Sequence, residues 1–345
     1  MKTTKVLFDW FQFSGIKSKF EFKQPFELKT TPTKTKVFNN VDELYYKNQI
    51  IADVAHNPHS SIINSNLVLV KFKNDVLYNP EFEKIFYQLL NMQAFTFNNF
   101  TRLDICTDFQ TFNNNLKPEN LINNFMTNKI IKSGNKKFKL IAKQLTTKQK
   151  EELKTRNNHL YSYLRFGSST SNISAYIYNK SLELKEESQK NYIMKLHEKT
   201  FKNKLIDVWR LEFSIKNFND IILYDITGEE LKFTPAFVLS EYFKVSLFNL
   251  LVNRYFNFYY PANPDLKKKP KQLILFKDLY TTFRIIFNKC DATTTRTDKN
   301  FIKIFEAYNC ELRNQKKELA KYGTIILKNF VEKKNLQEWY SKKFN

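Results

Sequence analysis

A chain of 345 residues with 42% hydrophobic, 26% charged and 16% aromatic side chains has a globular composition, which excludes collagen, mucin-like stalks and whole-chain disorder. Its 5 Gly and 9 Pro leave little room for flexible linkers, and Cys106, Cys290 and Cys310 are too few and scattered for a disulfide framework or a zinc site. The 56 Lys and Arg against 34 Asp and Glu give +22, the footprint of a phosphate-rich partner, although 48 Lys to 8 Arg is also what AT-rich coding would produce.

In chain order, Val6–Phe13 alternates as a strand, as does Leu67–Phe72, and Pro80–Met92 has helical spacing at Phe82, Ile85, Phe86, Leu89 and Leu90. Arg102–Asp108 reads as a strand, and Leu116–Phe125 as a helix opened by Pro118 and Glu119. Residues 129–156 then gather ten basic side chains against Glu151 and Glu152. Tyr161–Phe166 and Ile173–Tyr178 are strands joined by a Gly167-Ser168-Ser169 turn, followed by a charged helix from about Ser181 to Lys199 and the strand Val208–Ile215. Beyond Thr234 the pattern turns helical: Pro235–Phe258 as one long amphipathic helix, then Leu273–Phe287, Phe301–Leu319 and a short element after Thr324–Phe330. The expected architecture is α+β, an antiparallel-sheet domain over residues 1–260 with a basic helical C-terminal region over 261–345. That C-terminal segment holds 19 basic and 9 acidic residues, and Lys267, Lys268, Lys269 and Lys271 are its clearest DNA-contact candidates. No run approaches the roughly eighteen apolar residues of a membrane span, so no membrane partner is expected, and cysteine usage points to a reduced, cytoplasmic setting.

Three strands mix apolar and ionisable residues unusually. A period of two puts Arg102, Asp104, Cys106 and Asp108 on one face of the first. The same arithmetic aligns Arg210, Glu212, Ser214 and Lys216 on the second, and Tyr176, Tyr178 and Lys180 on the third. If the three share a sheet, carboxylates, cations and tyrosines pool over one surface. Carboxylates so gathered suit Mg²⁺ or Mn²⁺, which polarise phosphoryl oxygens. A tyrosine hydroxyl is a poor nucleophile until a metal, a base or a cation such as Lys180 favours the phenolate. Together these parts would suit transesterification on a phosphodiester, although half-exposed sheets carry Arg–Asp and Lys–Glu pairs constantly without function. His56-Asn-Pro-His59 reads as a turn rather than a metal pair, His159 and His197 as solvated, and Cys106 as a small filler. No Gly-rich phosphate loop is present, which argues against ATP hydrolysis.

Four blocks, Thr-Arg-Leu-Asp-Ile-Cys-Thr-Asp at 101–108, Tyr-Leu-Arg-Phe-Gly-Ser-Ser-Thr-Ser-Asn at 163–172, Tyr-Ile-Tyr-Asn-Lys-Ser-Leu-Glu at 176–183 and Trp-Arg-Leu-Glu-Phe-Ser-Ile-Lys at 209–216, carry a resemblance. In this order they resemble the replication initiation factor family of rolling-circle initiators from plasmids and phages, the His-lacking, trans-acting Rep type. Phe-Asp-Trp-Phe-Gln-Phe at 8–13 looks like that family's first strand, and the resemblance spans about residues 6–250. It implies a site-specific nicking and closing enzyme whose tyrosine becomes 5′-linked to DNA, leaving a 3′-OH for a polymerase. By position Tyr178 matches the nucleophile, Lys180 its lysine, and Asp104 and Glu212 the metal carboxylates, with Asp108 as a second aspartate. Arg102 or Arg210 would offset developing charge. At Tyr176 the family more often has arginine, so two tyrosines share one face; Tyr178 is preferred, and Tyr176 would stack on a base or substitute. The resemblance further implies an origin hairpin or inverted repeat as substrate, a homodimer, and a host helicase and polymerase as partners. Two alternatives stand beside it: a non-catalytic sequence-specific DNA-binding protein, and a metal-dependent nuclease using water.

Overall fold

The computed structural model describes residues 3–60, 63–132, 162–167, 171–216, 218, 221–225, 227–261 and 270–276, and the backbone of 284–287; all belong to one unit, Met1–Asn288. The first five strands are β1 (Leu7–Lys17), β2 (Phe26–Lys29), β3 (Phe38–Tyr46), β4 (Gln49–Pro58) and β5 (Leu67–Phe72), of which β1 and β5 follow alternating apolar residues. A short α1 (Asn74–Leu77) leads to α2 (Phe82–Asn91), which buries Phe82, Ile85, Phe86 and Leu89, the stripe its spacing predicts. Next come β6 (Phe95–Phe109), α3 (Pro118–Met126) with proline in its first turn, β7 (Ile131–Lys132), β8 (Tyr163–Phe166) and β9 (Ile173–Asn179). After them run α4 (Lys180–Glu183), α5 (Asn191–Thr200), β10 (Trp209–Lys216), β11 (Ile221–Tyr224) and β12 (Glu230–Leu231). The described residues end with α6 (Pro235–Leu239), α7 (Glu241–Tyr255), β13 (Phe258–Tyr260), β14 (Lys271–Leu273) and β15 (Arg284–Phe287).

Nine strands form one antiparallel sheet in the order β2-β3-β4-β5-β1-β6-β10-β9-β8, with two three-stranded sheets, β12-β11-β15 and β14-β13-β7, beside it. The class is therefore α+β, as the element pattern predicts. One face of the large sheet is apolar. Phe11 of β1 meets Phe82 and Phe86 of α2 edge-on at 5.2 and 5.3 Å between ring centroids. Further along the same face, Phe213 of β10 packs on Phe248 of α7 at 5.5 Å. Such edge-to-face pairs add about 0.5–1.5 kcal/mol each beyond area burial.

Several sequence expectations give way. The helix expected over 235–258 is two helices, because Ser240 is extended and caps the second: its Oγ accepts from the Phe243 amide at 3.1 Å and donates to the Phe237 carbonyl at 2.6 Å. The helix expected over 181–199 is likewise broken: after α4 comes a π-turn over Leu184–Ser188, then Gln189 at φ 43°. The helix expected over 273–287 is replaced at both ends by strand, β14 and β15. Strands β2, β3 and β4 went unread, and the expected elements at 301–319 and 324–330 and most of the basic stretch 129–156 lie outside the described residues.

Candidate active site

The three ionisable strands are neighbours, in the order β6-β10-β9, and their register aligns the polar residues in rows across the sheet. Asp108, Arg210, Tyr178 and Tyr163 form one row; Cys106, Glu212, Tyr176 and Arg165 the next; then Asp104, Ser214 and Ser174; and finally Arg102 and Lys216. Every one of these side chains lies on the face opposite the aromatic core, as the period of two predicts.

The Asp108–Arg210 row is the buried anchor. Arg210 and Asp108 have no exposed surface. Arg210 donates through Nε and Nη2 to the two oxygens of Asp108 at 2.6 and 2.8 Å, and through Nη1 to Asp9 Oδ1 at 2.6 Å. Its Nη2 also donates to the Tyr78 hydroxyl at 2.9 Å, and that hydroxyl donates to Asp9 Oδ1 at 2.8 Å. His197 Nε2 meets Asp108 Oδ2 at 2.8 Å. Burial alone would raise the Asp108 carboxyl, but the Arg210 guanidinium and His197 hold it well below the usual carboxylate range. These contacts correct three expectations. Arg210 is a buried cation that spends four of its five N–H donors on Asp9, Tyr78 and Asp108 rather than one facing a phosphate, both Asp108 oxygens accept from Arg210 or His197 rather than facing a metal, and His197 is buried rather than solvated.

The Glu212 row meets the Asp108–Arg210 row through Tyr178. The Tyr178 hydroxyl donates to Glu212 Oε2 at 2.9 Å. Burial, then the charges of Asp9 and Asp104, push the Glu212 carboxyl up to about 8. Burial, then Glu212, raise the Tyr178 phenol well above its ordinary value. Tyr176 points its hydroxyl at Ser174 Oγ, 3.3 Å away, and its ring lies under the Arg165 guanidinium at 5.0 Å. Tyr163, unread in the sequence although it alternates with Arg165, pairs with Tyr178 in register, its ring centroid 6.3 Å from that of Tyr178. Lys180 is buried, ion-paired with Glu183, and its Nζ lies 5.5 Å from the Tyr178 ring centroid, so it flanks the ring rather than bonding the hydroxyl.

Asp9 reaches this face through a bulge. Phe8 pairs with Ile105 and Trp10 with Asp104, so Asp9 is the extra residue between them, and its side chain turns to the polar side. Burial would raise its carboxyl, but Arg210, Lys180 and Lys190 hold it at about 2. The one sequence signal was an aspartate inside an aromatic strand; Tyr78 and His197 left none.

For a divalent ion, the donor set fits in part. Asp104 and Glu212 are oxygen donors on adjacent strands, and burial, with the charges of Asp9 and Asp104 after it, raises the Glu212 carboxyl, an effect a bound cation would oppose. Asp104, however, is already bonded by Arg102, and among the described residues no three of His, Cys, Asp or Glu are gathered as a metal-binding group. Elsewhere, His56 bonds Asp42 at 2.8 Å and His59 the Thr35 carbonyl at 3.1 Å, so the two histidines diverge. Lys271 is exposed on β14, and Lys267, Lys268 and Lys269 lie outside the described residues.

No family model matches the chain, and no curated protein matches it. Among solved structures it is similar to a rolling circle replication initiator protein from Geobacillus stearothermophilus, at 13% identity and a TM-score of 0.45, over 78% of this chain and 92% of that one. No helix among the described residues is long and apolar enough to cross a membrane.

Proposed function

We propose that the chain initiates rolling-circle DNA replication by nicking and rejoining one strand at an origin through a 5′-phosphotyrosine. The observation that carries this reading is the 2.9 Å hydrogen bond from the Tyr178 hydroxyl to Glu212, a nucleophile on its base. With Glu212 ionised, a state its raised carboxyl reaches at about pH 8 and above, Tyr178 Oη attacks the phosphorus, its proton passes to Glu212, the bond from phosphorus to the 3′-oxygen breaks, and that oxygen takes the proton from Glu212 to leave a 3′-OH. Rejoining is the reverse attack. Asp104 and Glu212 are the residues that would hold Mg²⁺ or Mn²⁺, whose chemistry there is to polarise a phosphoryl oxygen. Arg210, through Asp9 and Asp108, is a positioning residue, and Lys180 supplies positive charge beside the ring. A host polymerase extending the 3′-OH, a host helicase and a second copy acting on an inverted repeat complete the reading.

A second reading, a nuclease that activates water on Glu212, draws support from the raised Tyr178 phenol, which stays protonated at rest. Incubating the protein with single-stranded oligonucleotides from its replicon's origin and Mg²⁺ or Mn²⁺, then resolving the products on a denaturing gel, separates the two. The expected result is a covalent protein–DNA adduct that disappears in Tyr178→Phe and persists in Tyr176→Phe. Cleavage that survives Tyr178→Phe without any adduct would establish the water nuclease, and binding with neither product would leave a DNA-binding protein.

A further inference from the structure

The end of the polar face beyond Asp104 has a different character from the carboxylate centre. Lys71 pairs with Gln12, Gln12 with Arg102, and Arg102 with Lys216, so one continuous row crosses the adjacent strands β5, β1, β6 and β10. At an inter-strand spacing of about 4.8 Å this row spans roughly 14 Å. Three of its four members are cations, and all four are half-buried. Trp10, in the row next to it, is also half-buried: the Arg102 guanidinium lies 3.8 Å and the Lys71 ammonium 4.1 Å from its ring centroid. Its indole Nε1 donates to Gln12 Oε1 at 3.0 Å, which fixes the ring's orientation.

Arg102 and Lys216 are like charges in adjacent register, and such neighbours repel. The nearby carboxylates are engaged: Asp53, which pairs with Lys71 in register, accepts from Lys73 at 2.7 Å, and Asp104 accepts from Arg102. Burial first pulls the Lys71 and Lys216 ammonium groups below their ordinary value; Asp53 opposes this at Lys71 and Asp104 at Lys216, while Arg102 adds to it at both. Phosphates would relieve both effects, and an aromatic ring held among cations is what a base stacks on in sequence-tolerant single-strand binding.

We propose that the Lys71–Gln12–Arg102–Lys216 row, with Trp10 beside it, is a subsite that holds single-stranded DNA across the strands next to the Tyr178–Glu212 pair. The inference rests on the nicking reading for its ligand class, but its test is of binding alone. A fluorescein-labelled oligothymidylate of about 20 nucleotides, long enough to cover a stacking groove, is titrated with the full chain in chelator at several salt concentrations, alongside a duplex of equal length. Replacing both lysines, in Lys71→Gln/Lys216→Gln, should flatten the slope of log affinity against log salt by about 1.4, since each single-strand phosphate contact contributes about 0.7. The exposed pair Lys29→Gln/Lys84→Gln removes the same charge elsewhere and should leave the slope unchanged. Trp10→Ala should weaken binding of the oligothymidylate about tenfold or more, within the range of one lost base–ring stack. Trp10→Phe keeps a ring and should retain most of the affinity while abolishing the quench of tryptophan fluorescence on binding. Melting curves confirm that each variant is folded.

An unchanged slope in the lysine variant together with a quench that persists in Trp10→Phe would overturn the proposal, as would a duplex that binds as tightly and quenches as strongly. Binding with these signatures but no adduct on origin DNA would sink the nicking reading and leave the subsite standing. Adduct formation without these signatures would do the reverse.

Discussion

Glu212 is the residue on which the proposed chemistry turns, because its carboxyl is raised from 4.5 to about 8 while it accepts a hydrogen bond from the Tyr178 hydroxyl. A group that holds its proton more tightly in the folded chain contributes stability that is complete below its unfolded value and is lost as pH rises through the folded one. Without divalent ions, the melting temperature of the wild-type chain should therefore fall between about pH 5 and pH 9. Glu212→Gln, with nothing to ionise, should fall less and melt several degrees higher at the alkaline end. Mg²⁺ or Mn²⁺ at pH 8 should raise the wild-type melting temperature and leave the variant's where it is. A pH-independent difference between the two would show that the carboxyl is not strained by its neighbours. At this scale the sequence was informative about identity but not about partnership. Alternation put Arg102, Asp104, Tyr178, Arg210 and Glu212 on one face, yet nothing in the order of residues says that Arg210 would be taken by Asp9 and Asp108, or that Lys180 would turn to Glu183. Those outcomes depend on which elements fold over the face, and Tyr78 and His197 arrive from distant parts of the chain.

Strands with strict alternation were legible as elements, and so was α2, whose buried stripe is a clean helical period. Elements failed where a single residue interrupts a periodic run. Ser240 stands inside an apolar stretch that fits one long helix, and its side-chain hydrogen bonds to Phe237 and Phe243 mark the end of α6 and the start of α7. Its replacement by alanine should cost about 1 kcal/mol, the typical value of an N-cap, read as a shift in the urea midpoint with an unchanged slope. No shift would mean that packing of Phe243 and Leu247, not the cap, fixes the start of α7. Strands β2 to β4 were missed because their polar residues, such as Asp42 and Asp53, interrupt the alternation and are satisfied only by partners across the sheet or beyond it, His56 for the first and Lys73 for the second.

For the whole molecule, a charge of +22 sets how it meets a polyanion before any base is read. Affinity for an arbitrary duplex should drop steeply with salt, by about a thousandfold or more between 50 and 200 mM if six or more phosphates are neutralised. A shallow dependence, measured by filter binding across that range, would show that the lysine excess reflects coding bias rather than contact. The fold class was readable at this scale, since runs of alternating strands interleaved with short helices leave few arrangements. The strand order was not readable, because β1, the first strand, lies in the middle of the sheet between β5 and β6.

The bulge at Asp9 makes the first strand a counting device. From Arg102 to Asp108 and along β8, β9 and β10 the polar-face residues keep their places by parity, so a substitution there changes chemistry and leaves orientation alone. Asp9 keeps its place only because one residue too many lies between Phe8 and Trp10, and both it and Trp10 thereby face the site. The segment from Phe8 to Phe11 thus carries its information in length as well as in letters. Losing one residue there would leave the aromatic core composition almost unaltered, yet force a choice between the carboxylate that grips Arg210 and the ring that lies under Arg102.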